Sequence, residues 1–201
     1  MKSALDITDR FYDELNSVMQ RLRELRSTLN EQEEPALEIA EIQHQKDLLQ
    51  DIKDDLLDCR PKVDNVHRIG KQLMEICSEK ERPEIRRLIE EMEQLYDQVH
   101  QMILKREKLL NEAMEKALAF HQLLQEVLDF LDQAEDRLAR IGDISNDSDE
   151  LKRQIKEIKE LKHDIDGFAY KVDKLNKLGR SILESTSPRK TAAIKESLDV
   201  S

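Results

Sequence analysis

Residues 63–73 read VDNVHRIGKQL and residues 172–182 read VDKLNKLGRSI, 109 residues apart. The Asp, the Gly, the basic residue after it and the apolar positions coincide. Self-similarity at a fixed period marks a repeat architecture, so this interval decides how the rest is read. Outward from it, Phe11, Leu15, Val18, Leu22 and Leu29 fall on Phe120, Leu124, Val127, Leu131 and Leu138 at the same offset. The run from Ile42 to Leu73 likewise falls on Leu151 to Ile182, and an out-of-place polar residue recurs with it, Gln45 as Gln154. Ile89 matches Ile194 at an interval of 105, so the later break is four residues shorter in the second copy.

Each copy is helical in its patterning. Ile7, Phe11, Leu15, Val18, Leu22, Leu25 and Leu29 step by three or four, which is one stripe on a helix. Pro35 breaks the pattern, because the residue before a proline is pushed out of the helical region. A second stripe follows: Ile42, Gln45, Leu49, Ile52, Leu56, Cys59, Val63, Val66, Gly70, Leu73 and Cys77. Its alternating steps of three and four make a heptad pattern. Pro83 sits where a new helix would start. From there to Ile141 no Pro or Gly occurs. The stripe Ile85, Leu88, Met92, Leu95, Val99 and Met102 continues through Leu109, Ala113, Ala117 and Phe120 to Leu138, interrupted by Arg106. It predicts one helix of nearly 60 residues, about 85 Å long. Gly142 is a C-cap candidate, and DISNDSDE (143–150) is rich in N-cap residues for a fourth helix carrying Leu151 to Ile182. Pro188 can start a fifth helix with Ala192, Ile194 and Leu198.

Every amphipathic stripe must be buried against others, and short loops make successive helices antiparallel neighbours. The expectation is an all-α chain of tandem three-helix bundles joined by a continuous helix, the second bundle incomplete at its C-terminus. Repeat 1 takes residues 4–119, with helix A at 4–31, helix B at 36–78 and helix C at 83–119. Repeat 2 takes 120–201, with helix A at 120–141, helix B at 149–184 and the start of helix C at 188–201. The breakers Pro35, Pro83, Gly142 and Pro188 argue against a plain parallel coiled-coil dimer, and the fragment is expected to be a monomer.

Composition narrows the function. Of 201 residues, 38% are charged and 3% aromatic, and the net charge is -11. An acidic balance argues against nucleic acid as the main ligand, since that binding depends on Lys and Arg neutralising phosphates. No window approaches 18 uninterrupted apolar residues, so no membrane insertion is expected. The start, MKSALDITDRFYDEL, lacks the apolar core of a secretory signal, which points to the cytoplasm. Cys59 and Cys77 would stand about 27 Å apart on one helix, too far for a disulfide. They read as free thiols of the apolar stripe. The five histidines form no metal spacing, and the four glycines are isolated, so no phosphate loop is present. No catalytic, metal or cofactor-binding residues are expected, and the chain reads as no enzyme.

The residues resemble the spectrin-repeat superfamily over nearly the whole chain. AFHQLLQEVLDFLDQAEDRLARI (119–141) is similar to a spectrin-repeat helix A, with Phe120 and then Phe130 where the family usually has Trp. The two opening stretches resemble the end of helix B. LIEEMEQLYDQVHQMILKREKLL (88–110) resembles helix C, with Tyr96 where a second family Trp is common. The departures are specific. The chain holds no Trp, Arg21 stands at the helix A aromatic position and would face a core, and Pro61 lies inside helix B, where it should kink the helix. Divergent, acidic repeats of this kind are similar to the rods of giant cytolinkers, nesprin-like or spectraplakin-like.

That resemblance implies a structural rod and spacer that bears load in a linker of actin, microtubules or the nuclear envelope, located on the cytoskeleton or, through a parent protein, at the outer nuclear envelope. Its partners would be neighbouring repeats and cytoskeletal proteins, actin-associated or formin-like. The alternative is a docking module for a cytoskeletal regulator, as in a scaffold or a Trio/kalirin-like exchange factor. For that reading the candidate partner surface is Pro61 with Arg82, Arg86 and Arg87. These arginines place cations at a helix start, where they oppose the macrodipole unless Glu79, Glu81 and Glu84 neutralise them. Ser187, in SPRK (187–190), is the candidate phosphorylation site.

Overall fold

A computed structural model describes residues 4–184. Four helices follow one another: α1 (Ala4–Glu31), α2 (Ile39–Ile76), α3 (Arg82–Ile141) and α4 (Ser148–Glu184). The helix expected from Pro188 lies outside the described residues, as does Ser187. The boundaries have local causes. Residues 32–38, which include Pro35, are not helical, so α2 begins three residues later than the expected 36. Before α3, Ser78 and Glu81 form a reciprocal cap: the Ser78 amide and hydroxyl donate to Glu81 Oε2 at 3.0 and 2.8 Å, and the Glu81 amide donates to the Ser78 carbonyl at 3.1 Å. Gly142 ends α3 at φ 68°, the left-handed conformation that glycine adopts without a Cβ penalty. Asp147 caps α4, its Oδ1 accepting from the amides of Asp149 and Glu150, each at 3.0 Å.

The chain divides into two compact units. Unit 1 comprises residues up to Pro35 and from Ala40 to Asn111; unit 2 comprises Ala36–Ile39 and the chain from Glu112. Unit 1 is a three-helix bundle of α1, α2 and the first part of α3. Its core holds the α1 stripe from Phe11 to Leu29 and the α2 residues Ile42, Leu49, Ile52, Leu56, Cys59, Val63, Val66, Ile69 and Leu73. Burying each large apolar side chain contributes about 1.5–3 kcal/mol. From α3 come Ile85, Ile89, Met92, Leu95, Val99, Ile103 and Leu110. The expected Leu88, Met102 and Leu109 are less buried than the residue after each. Both members of each pair are apolar, so periodicity alone could not choose between them.

One further expectation is corrected. Arg21 does not face the core: its side chain is exposed, with Nη2 2.6 Å from Asp55 Oδ2 and Nη1 3.2 Å from Glu24 Oε2. An exposed position lets the guanidinium stay paired and hydrated, where burial would strip it of water. Pro61 lies inside α2, which is helical on both sides of it, from Ile39 to Ile76. The proline is exposed, and so is Leu57, whose carbonyl loses its donor, so water can satisfy that group.

Unit 2 contains the second part of α3 and α4. They meet along Leu123, Val127, Ile141 and Leu161, all buried. The opening stretches occupy matching places in the two units. A Cβ built on Gly70 would stand 3.1 Å from Phe11 Cε2, and one built on Gly179 would stand 3.2 Å from Phe120 Cε2. Phe11 and Phe120 are themselves 109 residues apart, so each glycine makes room for the aromatic ring of its own unit.

Candidate functional site

The chemistry of the described residues is that of helix surfaces. Among them no group of three His, Cys, Asp or Glu side chains could hold a metal ion, and no helix is long and apolar enough to cross a membrane. Cys59 is buried, and burial pushes its thiol pKa up, away from the thiolate that a nucleophile requires. Cys77 is a half-buried free thiol. His67 Nε2 of α2 lies 2.8 Å from Glu93 Oε1 of α3, a tie across unit 1.

The three arginines at the start of α3 serve different ends. Arg82 Nε donates to the Met74 carbonyl at 3.0 Å, covering an acceptor that the last turn of α2 leaves open. Arg87 is held by Glu84, with Nε–Oε2 at 3.0 Å and Nη2–Oε1 at 2.6 Å, and by Glu91. These carboxylates raise the Arg87 pKa, Glu84 the more strongly. Of the acids considered as neutralisers, only Glu84 contacts them; Glu81 is taken by Ser78 and its pKa is lowered by that hydroxyl and amide. Arg86 is exposed and makes no ion pair among the described residues. Pro61 sits 15 residues before the end of α2, about 22 Å along its axis, so it does not join the arginines in one patch.

The recurrent glutamine has a specific task that periodicity could flag but not explain. Gln45 Nε2 donates to the Glu34 carbonyl at 3.0 Å, and Gln154 Nε2 donates to the Asp143 carbonyl at 2.9 Å. Glu34 and Asp143 are again 109 residues apart. Gln154 is buried; its Nε2 also donates to the Ile141 carbonyl at 2.9 Å and its Oε1 accepts from the Ser145 amide at 3.1 Å. Each glutamine thus pins the connection between the first two helices of its unit. In unit 1 the α3 residue Arg106 adds a second tie, Nη2 donating to the Glu33 carbonyl.

The units differ most in what they leave open. Leu22, Leu29, Leu49, Leu56 and Val63 of unit 1 are 0–8% exposed. Their counterparts Leu131, Leu138, Ile158, Ile165 and Val172 in unit 2 are 40–59% exposed. In unit 1 the third helix covers these positions; among the described residues nothing covers them in unit 2. Beside this face Phe130 and Phe168 stack with ring centroids 4.0 Å apart and planes 6° from parallel. Lys171 lies 4.9 Å from the Phe168 centroid and 2.8 Å from Glu126 Oε2. The groove there, about 480 Å³, is lined by Val127, Leu131, Ile165, Ala169 and Val172 with the two rings.

The family model described as Spectrin repeat matches residues 7–112 and 115–200. Among similar proteins, human microtubule-actin cross-linking factor 1, isoforms 6/7, is 23% identical over 91% of this chain, which covers 5% of that protein. The rat microtubule-actin cross-linking factor 1 is 23% identical over 91% of the chain and 3% of its own length. The mouse isoforms 6/7 are 22% identical over 91% and 6%. The chain therefore spans only a few per cent of the length of these relatives. No solved structure matches it.

Proposed function

The chain belongs to the spectrin-repeat family, and from that premise we propose that it is a load-bearing spacer within a large cytoskeletal linker, one that joins microtubules and actin. The observation that carries this reading is the 109-residue repetition of the first two helices and their contacts, down to the Gly–Phe contact and the glutamine that pins the turn. A chain that repeats its helical pattern and its turn contacts under a surface of exposed ion pairs repeats architecture and not a reacting group. The names of the relatives supply the context, cross-linking of two filament systems. In this role each bundle holds its ends at a set separation, extends when tension exceeds its stability, and refolds when tension falls.

Single-molecule stretching tests the load-bearing role. The expected trace has reversible extension events, each releasing about 300–350 Å of contour for a unit of about 100 residues. Irreversible extension with no refolding would sink the reading. Filament co-sedimentation tests the spacer role. The chain is expected to stay in the supernatant with both F-actin and microtubules at micromolar concentration. Pelleting with either would replace the spacer with a docking module.

A further inference from the structure

Along unit 1 the α3 stripe has a seven-residue spacing, with buried Ile85, Met92 and Val99 in one row and Ile89, half-buried Tyr96, Ile103 and Leu110 in the other. Such a stripe is nearly self-similar under a slide of one heptad, so apolar burial discriminates weakly between the native register and a shifted one. Arg106 takes the next place in the first row. It is half-buried, its Nη2 donates to the Glu33 carbonyl, and its Nε is buried with no hydrogen-bond partner. Next to that contact, Gln45 of α2 donates to the Glu34 carbonyl at 3.0 Å. Two consecutive carbonyls of the α1–α2 connection are thereby held by one donor from α2 and one from α3.

We propose that Arg106 is the register lock of unit 1, fixing the axial position of α3 against α1 and α2. Sliding α3 seven residues in one direction carries the guanidinium to the place of Val99, which is fully buried among apolar side chains. Sliding it in the other direction brings Val99 level with the α1–α2 connection and withdraws the Arg106 donor from Glu33. Either shift leaves a charged group or a tied carbonyl worse served, and burial makes that costly. Burial is also the largest influence on Arg106 itself and lowers its pKa, while the nearby Glu34 carboxylate acts the other way. A charged residue kept in a core stripe against that cost fits the best-attested use of buried polar groups, which is to specify register at some expense of stability. The inference concerns packing inside unit 1, and it stands or falls independently of the load-bearing role.

The test places spin labels, through genetically encoded non-canonical residues, at exposed Gln50 of α2 and exposed Glu90 of α3, leaving both cysteines untouched. Pulsed dipolar spectroscopy of the otherwise unaltered chain should give one distance. Arg106→Leu should add a second population displaced by about 10 Å, the rise of one heptad. Its melting temperature should remain at or above that of the parent. Arg106→Lys, which keeps a charge that the core rejects, should retain the single distance. One unchanged distance in Arg106→Leu overturns the proposal. Loss of folding in that variant overturns it too, by making Arg106 a stability element. A slipped population in Arg106→Lys as large as in the leucine variant does the same.

Discussion

Two residue types show how much one position can carry. Gln154 serves two carbonyls and one amide from a buried site, so Gln154→Leu should strand all three. The expected cost to unit 2 is about 1–3 kcal/mol. Hydrogen exchange should show the Ser145 amide opening faster while the helices of unit 1 keep their protection; an unchanged rate at Ser145 would contradict the assignment. The two glycines make a paired prediction. Alanine is favoured over glycine inside a helix by about 1 kcal/mol. At Gly70 a Cβ would meet Ile89 Cδ1 at 2.5 Å as well as fully buried Phe11, so Gly70→Ala should lose that gain and destabilise by about 1 kcal/mol. At Gly179 the crowding among the described residues comes from half-buried Phe120, 3.2 Å from the added Cβ, so Gly179→Ala should stabilise. Chemical denaturation of the two variants should give opposite signs. The recurrence of the glutamine was legible because it broke an apolar stripe twice at one offset. Its hydrogen bonds were not, because they end on backbone carbonyls, which every sequence has.

At the scale of the element, helix limits followed from caps, while the tolerance of Pro61 did not. The proline removes one backbone hydrogen bond from α2. Exposure of Pro61 and Leu57 lets solvent take the orphaned carbonyl, so the penalty is local. Pro61→Ala restores the donor on a helix that already runs through the site, and should stabilise unit 1 by about 1–3 kcal/mol. A thermal melt showing no gain would mean that α2 is adapted to the proline. The start of α3 carries the pH dependence. Hydrogen bonds from Ser78 lower the Glu81 pKa below its ordinary value of 4.5. A depressed carboxyl stabilises the folded state above that ordinary value, and the contribution fades as pH falls through the lower folded value. Protection of the amides at the beginning of α3, measured against their intrinsic exchange rates, should therefore fall in acid, and Ser78→Ala, which removes the hydroxyl but keeps the backbone donor, should weaken the effect. The Ser-x-x-Glu spacing was visible in the sequence; its pairing needed the turn to be built.

Across the whole molecule, the same stripe has two outcomes. Leu22 and Leu131 are counterparts, one buried by a third helix and the other half exposed. Leu22→Ala should cost about 2–5 kcal/mol, as for a packed core leucine. Leu131→Ala should cost about 1 kcal/mol or less, since much of its surface already meets water. Equal costs in parallel melts would show that the unit 2 face is covered in solution. The sequence by itself determined the period of 109, the helical character of the described segments, the limit set by Gly142, and the kinship with spectrin repeats. All of these are written in spacing along one chain. Only the tertiary structure decided which of two adjacent apolar residues faces inward on α3, that Arg21 points out to Asp55, that Arg106 reaches the Glu33 carbonyl, and that among the described residues one face of unit 2 is uncovered. Periodicity is a property of a single helix, whereas burial depends on how many neighbours surround it and at what height they meet it.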